Sequence, residues 1–169
     1  MRHPRLAPAL GALALALTLG ACGGTADPAA ETSAGYAALG RGDAEGALDH
    51  FVDALEVLGP DDPGYARARM GAIEAKARLV PSAAAESLLD WAATRPEQVA
   101  AADHHKVGAL LAGLDAFDPA IDVLSRGLER FPEDAKIDAA LEAMHEAAAS
   151  RGDERILARL GGLGYANAR

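Results

Sequence analysis

The nine residues "ALDHFVDAL" (Ala47–Leu55) recur as "AIDVLSRGL" (Ala120–Leu128), and this repetition decides the fold. In each copy a small residue is followed four positions later by a large apolar residue, and three positions after that by another small one. Apolar positions at spacings of three and four lie on one face of a helix. A weaker copy, "AESLLDWA" (Ala85–Ala92), begins 38 residues after the first and 35 before the third. The sequence therefore predicts helices that repeat with a period of about 36 residues.

Each copy of the motif is preceded by another helix-like stretch and is followed by a proline. In the first repeat, Gly35-Tyr36-Ala37-Ala38-Leu39 comes before the turn Gly42-Asp43. In the third repeat, Gly108-Ala109-Leu110-Leu111 comes before Phe117. This arrangement resembles the tetratricopeptide repeat (TPR), a helix-turn-helix unit of about 34 residues. The second copy departs from that pattern, with Pro81-Ser82 where a glycine-containing turn is expected.

The fold class expected from this resemblance is all-α. Alanine, the best helix former, occupies 42 of the 169 positions, and no apolar-polar alternation is long enough for a strand. We predict a TPR-like solenoid over 32–165, with about three repeats and a C-terminal capping helix. Small residues would let the paired helices approach, and Phe51 or Leu124 would fill the space toward the next repeat. The predicted repeats are 28–61, 63–97 and 98–133, with a partial repeat at 134–163.

Local signals place several helix ends. Arg41-Gly42-Asp43 and Arg151-Gly152-Asp153 both match a known adhesion tripeptide. A structural reading is favoured, because glycine permits the left-handed turn that ends one helix and aspartate caps the next. Asp62 and Asp118, each followed by proline, are likewise expected to cap helices. The tail is predicted to form a long helix over Ala135–Ser150 and a short closing helix that ends at Leu160.

The N-terminus has the pattern of a targeting segment. Residues 1–21 combine basic residues with an apolar stretch that is too short to span a membrane. The stretch ends in Leu19-Gly20-Ala21-Cys22, which resembles the lipobox of bacterial lipoproteins. That resemblance implies cleavage before Cys22, a lipid on its thiol and a flexible linker over 22–31. The alternative is an ordinary signal peptide that happens to contain the chain's single cysteine.

The predicted cellular location and the net charge limit which molecules the protein could bind. The lipobox implies a lipid-anchored protein of the bacterial cell envelope. Gly23 after the cysteine resembles the outer-membrane pattern, which would place the protein on the periplasmic side in a cell with two membranes. Once Arg2 and Arg5 of the predicted signal peptide are removed, the chain has 14 basic and 25 acidic residues. Such an acidic chain is not expected to bind nucleic acid, which is recognised through basic residues.

The sequence offers little catalytic chemistry, and we predict a non-enzyme with no catalytic residues, metal or cofactor. His104-His105 is the only adjacent histidine pair, and neighbours on a helix point about 100° apart. These two histidines are therefore expected at the surface or in a groove rather than around a metal. Trp91 is expected to pack among small alanines, with a partner anchor as the alternative.

The TPR resemblance implies a partner-binding groove lined by the first helix of each repeat. The expected function is a membrane-anchored scaffold or assembly factor that binds a protein or peptide partner in the envelope. The alternative is a peptide- or small-molecule-binding accessory subunit of an envelope transporter or enzyme complex. The residues predicted to line the groove are Tyr36, Leu39, Tyr65, Ala72, Lys76, Ala102, His105, Ala109 and Lys136.

Overall fold

The computed structural model describes residues 27–165, so the predicted signal peptide and Cys22 lie outside the described residues. The described part is all-helical, and it contains no strand. A short 3-10 helix at Pro96–Gln98 joins two of the α-helices. The helices are α1 Pro28–Gly40, α2 Ala44–Val57, α3 Tyr65–Leu79, α4 Pro81–Thr94, α5 Ala101–Gly113, α6 Phe117–Arg130, α7 Ala135–Arg151 and α8 Glu154–Leu160.

The helices pack in chain order as four pairs: α1/α2, α3/α4, α5/α6 and α7/α8. Between pairs, α1 packs on α3, α3 on α5 and α5 on α7, and we call these four helices the first-helix layer. On the other side, α4 packs on α6 and α6 on α8, and α2, α4, α6 and α8 are called the second-helix layer. This consecutive packing is consistent with an all-α helical repeat fold.

Phe51 of α2 joins the first pair to the second. Its ring is fully buried between two glycines, Gly35 of α1 and Gly71 of α3. A Cβ atom added at Gly71 would lie 2.3 Å from the ring, and one at Gly35 would lie 2.8 Å from it. The two glycines therefore let three helices close around one aromatic side chain, as the predicted role of Phe51 requires.

Leu124 of α6 occupies the corresponding position in the third pair. It is fully buried, and a Cβ added at Gly108 of α5 would lie 2.4 Å from its Cγ. The small-residue positions of the repeat thus allow close contact between α5 and α6. This contact confirms that a glycine in the first helix of the pair faces a large apolar residue in the second.

The middle copy of the motif was predicted one residue out of register. Ala84, Ala85, Leu88 and Trp91 are the buried positions of α4, whereas Leu89 and Ala92, the other two positions of the predicted motif, are only partly buried. With this correction, the first small residue of the motif lies 37 residues after Ala47 and 36 residues before its counterpart in α6. Trp91 then stands where the other copies have a small residue.

The two Gly-Asp turns have the predicted geometry. Gly42 and Gly152 adopt left-handed backbone with φ of 81° and 67°. The Asp43 side chain accepts from the Gly46 N–H at 2.9 Å, and Asp153 accepts from the Ile156 N–H at 3.1 Å. Both tripeptides therefore end one helix and start the next.

The predicted caps at Asp62 and Asp118 are wrong. The Asp62 carboxylate accepts from the Gly59 N–H at 2.7 Å, which closes the turn before α3 instead of capping the helix. Asp118 lies inside the first turn of α6, because that helix already begins at Phe117. Its carboxylate pairs with Arg155 of α8 at 2.7 Å and so ties the closing helix to α6.

Both ends of the described region are held by side chains. Asp27 accepts from the Ala29 N–H at 3.0 Å, so α1 begins at Pro28, inside the segment 22–31 that was predicted as a linker. At the other end, Ile156 and Leu160 of α8 are fully buried, as expected for a closing helix. The Tyr165 hydroxyl donates to Asp138 of α7, which folds the end of the described chain back onto that helix.

Candidate binding groove and a cleft in the second layer

The three helix junctions of the first-helix layer differ in their side-chain contacts. At the α1–α3 junction, the half-buried Tyr36 donates its hydroxyl to the Arg67 carbonyl at 3.0 Å, and the Arg67 guanidinium lies 5.3 Å from the ring centroid. Burial raises the pKa of Tyr36, and the nearby Glu74 carboxylate raises it further. This hydroxyl is therefore a neutral donor that is already in use between two helices.

The α3–α5 junction is closed by an ion pair. Lys106 Nζ lies 2.5 Å from Glu74 Oε1. Lys76, which was predicted to line the groove, instead donates to the Ser87 hydroxyl of α4 at 3.1 Å. The amino group of Lys76 is thus directed toward its own helix partner, and Lys106 is the lysine that bridges the first-helix layer.

The α5–α7 junction is open and lined with alanine. A cleft of about 260 Å³ runs between these two helices. Arg151 and Phe117 close one end, with the guanidinium 5.1 Å from the ring and held by Asp115 at 2.6 Å. The remaining lining residues are Ala109 and Ala112 of α5 and Ala140, Ala143, Met144 and Ala147 of α7. Because alanine side chains end at Cβ, the two helices lie close and still leave a shallow apolar channel.

The predicted groove residues differ in how much surface they offer. Leu39 and Ala72 are buried, at 9% and 5% exposed, because both pack in the cluster around Phe51. Tyr65 and His105 are half-buried. The exposed members are Ala102, Ala109 and Lys136. The accessible surface of the predicted groove therefore lies mainly on α5 and α7. The prediction missed Ala140 and Ala147 of this cleft, although their spacing in the sequence places them on one face of α7.

His104 is a core residue, so the expectation of a surface position is wrong, although its side chain also borders a cleft between α4 and α6. Its side chain is 1% exposed and sits against the backbone of Gly127, where an added Cβ would lie 2.7 Å from His104 Cβ. Nδ1 lies 3.1 Å from the Val123 carbonyl oxygen. Since a carbonyl only accepts, Nδ1 carries the proton in the neutral ring and Nε2 is the acceptor.

The environment of His104 favours the neutral form. Burial lowers its pKa, and the charge of Arg130 lowers it further, against the opposing effects of the Val123 hydrogen bond and the Asp103 carboxylate. Nε2 is buried and has no hydrogen-bond partner among residues 27–165. A buried acceptor without a donor is costly, and within residues 27–165 only one other buried side-chain polar atom, Arg69 Nε, also has no partner.

His104 also lines a cleft between α4 and α6, in the second-helix layer. This cleft has a volume of about 590 Å³. Its α4 wall consists of Leu89, Asp90, Ala92 and Ala93, and its α6 wall of Arg126, Glu129 and Arg130. None of these residues was predicted as a site, because the cleft forms between helices from different repeats and leaves no periodic signal in the sequence.

Trp91 packs beside this region, as expected. Its ring is 3% exposed and its Nε1 donates to Gln98 Oε1 at 3.1 Å. Gln98 in turn donates to the Pro60 carbonyl at 2.8 Å. The indole therefore anchors the 3-10 helix and, through Gln98, the loop between α2 and α3, and it does not project toward a partner.

Within 27–165, no three His, Cys, Asp or Glu side chains gather in a way that could hold a metal ion. No helix in that range combines the length and hydropathy needed to cross a membrane. No protein-family model and no curated protein matches this chain.

Proposed function

We propose that the protein is a non-enzymatic TPR lipoprotein that acts as a protein–protein interaction scaffold or assembly factor in the bacterial cell envelope. The observation that carries this proposal is the alanine-lined cleft between α5 and α7 in the first-helix layer. An apolar channel between two helices accepts an extended peptide or one face of another helix. The glycine contacts of Phe51 and Leu124 support the repeat architecture.

The membrane anchor is proposed from the lipobox pattern that ends at Cys22. Acyl chains contribute about 0.8 kcal/mol per buried CH₂, so two or more chains would keep the protein on a bilayer. Growth with a palmitate analogue should label the protein, and Cys22→Ser should abolish the label. Persistent labelling of Cys22→Ser would exclude this site. In cells with two membranes, the labelled protein should fractionate with the outer membrane and face the periplasm.

A position-specific crosslink tests the groove. A photo-crosslinking residue at Ala109 should capture a defined envelope protein, whereas the same residue at Ala158 of α8, in the second-helix layer, should not. Ala109→Glu should then reduce recovery of that protein, because a carboxylate replaces apolar surface, while Ala158→Glu serves as the matched control. Both alanines are exposed in the structure. Equal crosslinking from both positions would remove support for the groove.

A second candidate function, a small-molecule-binding accessory subunit, is supported by the α4–α6 cleft. That cleft is larger than the α5–α7 channel, and it combines apolar surface with charged and hydrogen-bonding groups. The two candidates use different layers of the protein and are therefore separable by experiment.

A further inference from the structure

The α4–α6 cleft has the size of a small-molecule site. Its volume of about 590 Å³ lies within the range of about 300–1,000 Å³ that is typical of ligand pockets. On the α4 side, Leu89, Ala92 and Ala93 provide an apolar wall. The two alanines leave room beside the wall that longer side chains would fill, so a flat or narrow apolar group is accommodated there.

Arg130 provides the cleft with a cation whose guanidinium is only partly used by contacts within the protein. The neighbouring Arg126 is paired with Glu129 at 2.7 Å. Arg130, in contrast, has no carboxylate partner among residues 27–165, and its Nη2 donates to the Pro96 carbonyl. Its guanidinium lies 4.9 Å from the Phe131 ring, which holds it over an apolar surface. Guanidinium groups favour carboxylates because the two can form paired, charge-assisted hydrogen bonds.

His104 provides the complementary group, an acceptor. Its Nδ1 proton is used by Val123, which leaves the Nε2 lone pair without a donor among the described residues. A ligand O–H or N–H would satisfy this nitrogen. Arg130 and His104 both line the cleft and both lie beside the Phe131 ring, whose centroid is 4.9 Å from the Arg130 guanidinium and 6.2 Å from the imidazole centroid. Asp90 on the α4 wall disfavours a second negative charge at that side.

We propose that the α4–α6 cleft binds a small amphipathic monocarboxylate whose apolar body lies on α4, whose carboxylate pairs with Arg130, and whose hydroxyl or amide donates to His104 Nε2. This inference names a ligand class for the second candidate function. It does not depend on the partner groove, because that groove lies in the first-helix layer. Failure of ligand binding would therefore leave the Ala109 crosslinking result unaffected, and the reverse also holds.

The binding test uses three matched probes on the full chain in mild detergent, observed through backbone amide NMR shifts. 4-Hydroxyphenylacetate has all three features, phenylacetate lacks the hydroxyl donor, and p-cresol lacks the carboxylate. A ligand this small should bind with a Kd in the millimolar range. The shifts should centre on α4 and α6, and each of the two incomplete probes should bind about tenfold more weakly.

Two variants assign the contacts. Arg130→Gln should remove the preference for 4-hydroxyphenylacetate over p-cresol, whereas Arg126→Gln, the same change one turn earlier, should retain it. His104→Phe should remove the preference over phenylacetate. If His104→Phe does not fold, the comparison of the two acids on the unmodified chain still tests the donor contact.

Three outcomes would overturn the proposal. They are an absence of shifts around the cleft at millimolar concentrations, equal binding of all three probes, and equal effects of Arg126→Gln and Arg130→Gln.

Discussion

The first and third helix pairs perform the same packing task with different side chains. In the first pair, one aromatic ring, Phe51, is held between glycines of two helices, and the surrounding cluster is small and mostly alanine. In the third pair, Leu124 faces a single glycine, and many other buried side chains share the same core. A core that depends on one ring should be more sensitive to single changes than one that distributes its contacts.

The largest expected effect is therefore at Phe51. Replacing Phe51 with alanine should lower the free energy of unfolding by about 4 kcal/mol, because few neighbours can move into the cavity. Leu124→Ala should cost about 3 kcal/mol, since the larger cluster can relax around it. Urea unfolding measures both. Hydrogen exchange should in addition show α1 and α2 opening first in Phe51→Ala. A larger loss in Leu124→Ala would reverse the comparison.

The glycines provide the next test. Gly71→Ala should cost about 2 kcal/mol, because the new methyl group would overlap the Phe51 ring. Gly108→Ala should cost less, since Leu124 can change its torsions, whereas the Phe51 ring is held from both sides.

Gly40 supplies the control for this pair of variants. An added Cβ at Gly40 meets nothing within 4 Å. Gly40→Ala should therefore be neutral or stabilising by up to about 1 kcal/mol, through helix propensity alone. A cost at Gly40 equal to that at Gly71 would show that backbone flexibility, not contact with the ring, explains the glycines.

Much of the fold was predictable because it depends on periodicity. Spacings of three and four residues identified α2 and α6, and the Gly-Asp dipeptides identified two turns, since both signals are local. The middle motif was misplaced because its final position holds Trp91, a large residue where the pattern calls for a small one. Trp91 is accommodated there because its ring packs in the larger core cluster and its Nε1 donates to Gln98.

The binding surfaces were less predictable than the helices. The alanines of α5 and α7 fall on one face by spacing, so part of the first-layer groove was accessible from the sequence. His104 was not, because a polar residue beside another histidine suggests a surface position. Its burial follows from Gly127, which lies on another helix and leaves room for the imidazole. The α4–α6 cleft depends on the same kind of long-range pairing.

His104 also gives the third pair a pH-dependent contribution to stability. Its pKa is lowered from 6.5 by burial, so the unfolded chain binds the proton more readily. The contribution to stability is therefore complete above about pH 6.5 and falls as the pH drops below that value. The slope from this one group is at most about 1.4 kcal/mol per pH unit, the value set by a single proton.

Urea unfolding between about pH 7.5 and pH 5 measures this slope. His104→Phe should flatten it, and His105→Gln, a change at the adjacent position, should leave it in place. The lowered pKa of Asp118, caused mainly by Arg155, acts in a separate window, since that contribution is lost only as the pH falls below about 3.8. An unchanged slope in His104→Phe would place the responsible proton elsewhere.

The smallest expected effects are at the two Arg-Gly-Asp turns. One turn lies near the beginning of the described chain and the other near its end, so the same substitution can be compared at both. Asp43→Ala and Asp153→Ala should each cost about 1 kcal/mol, because each removes one side-chain acceptor from a helix N-terminus. Asp43→Asn should retain most of the stability, since asparagine also caps well. A cost in Asp43→Asn as large as in Asp43→Ala would indicate that charge, rather than the hydrogen bond to Gly46, is the stabilising feature.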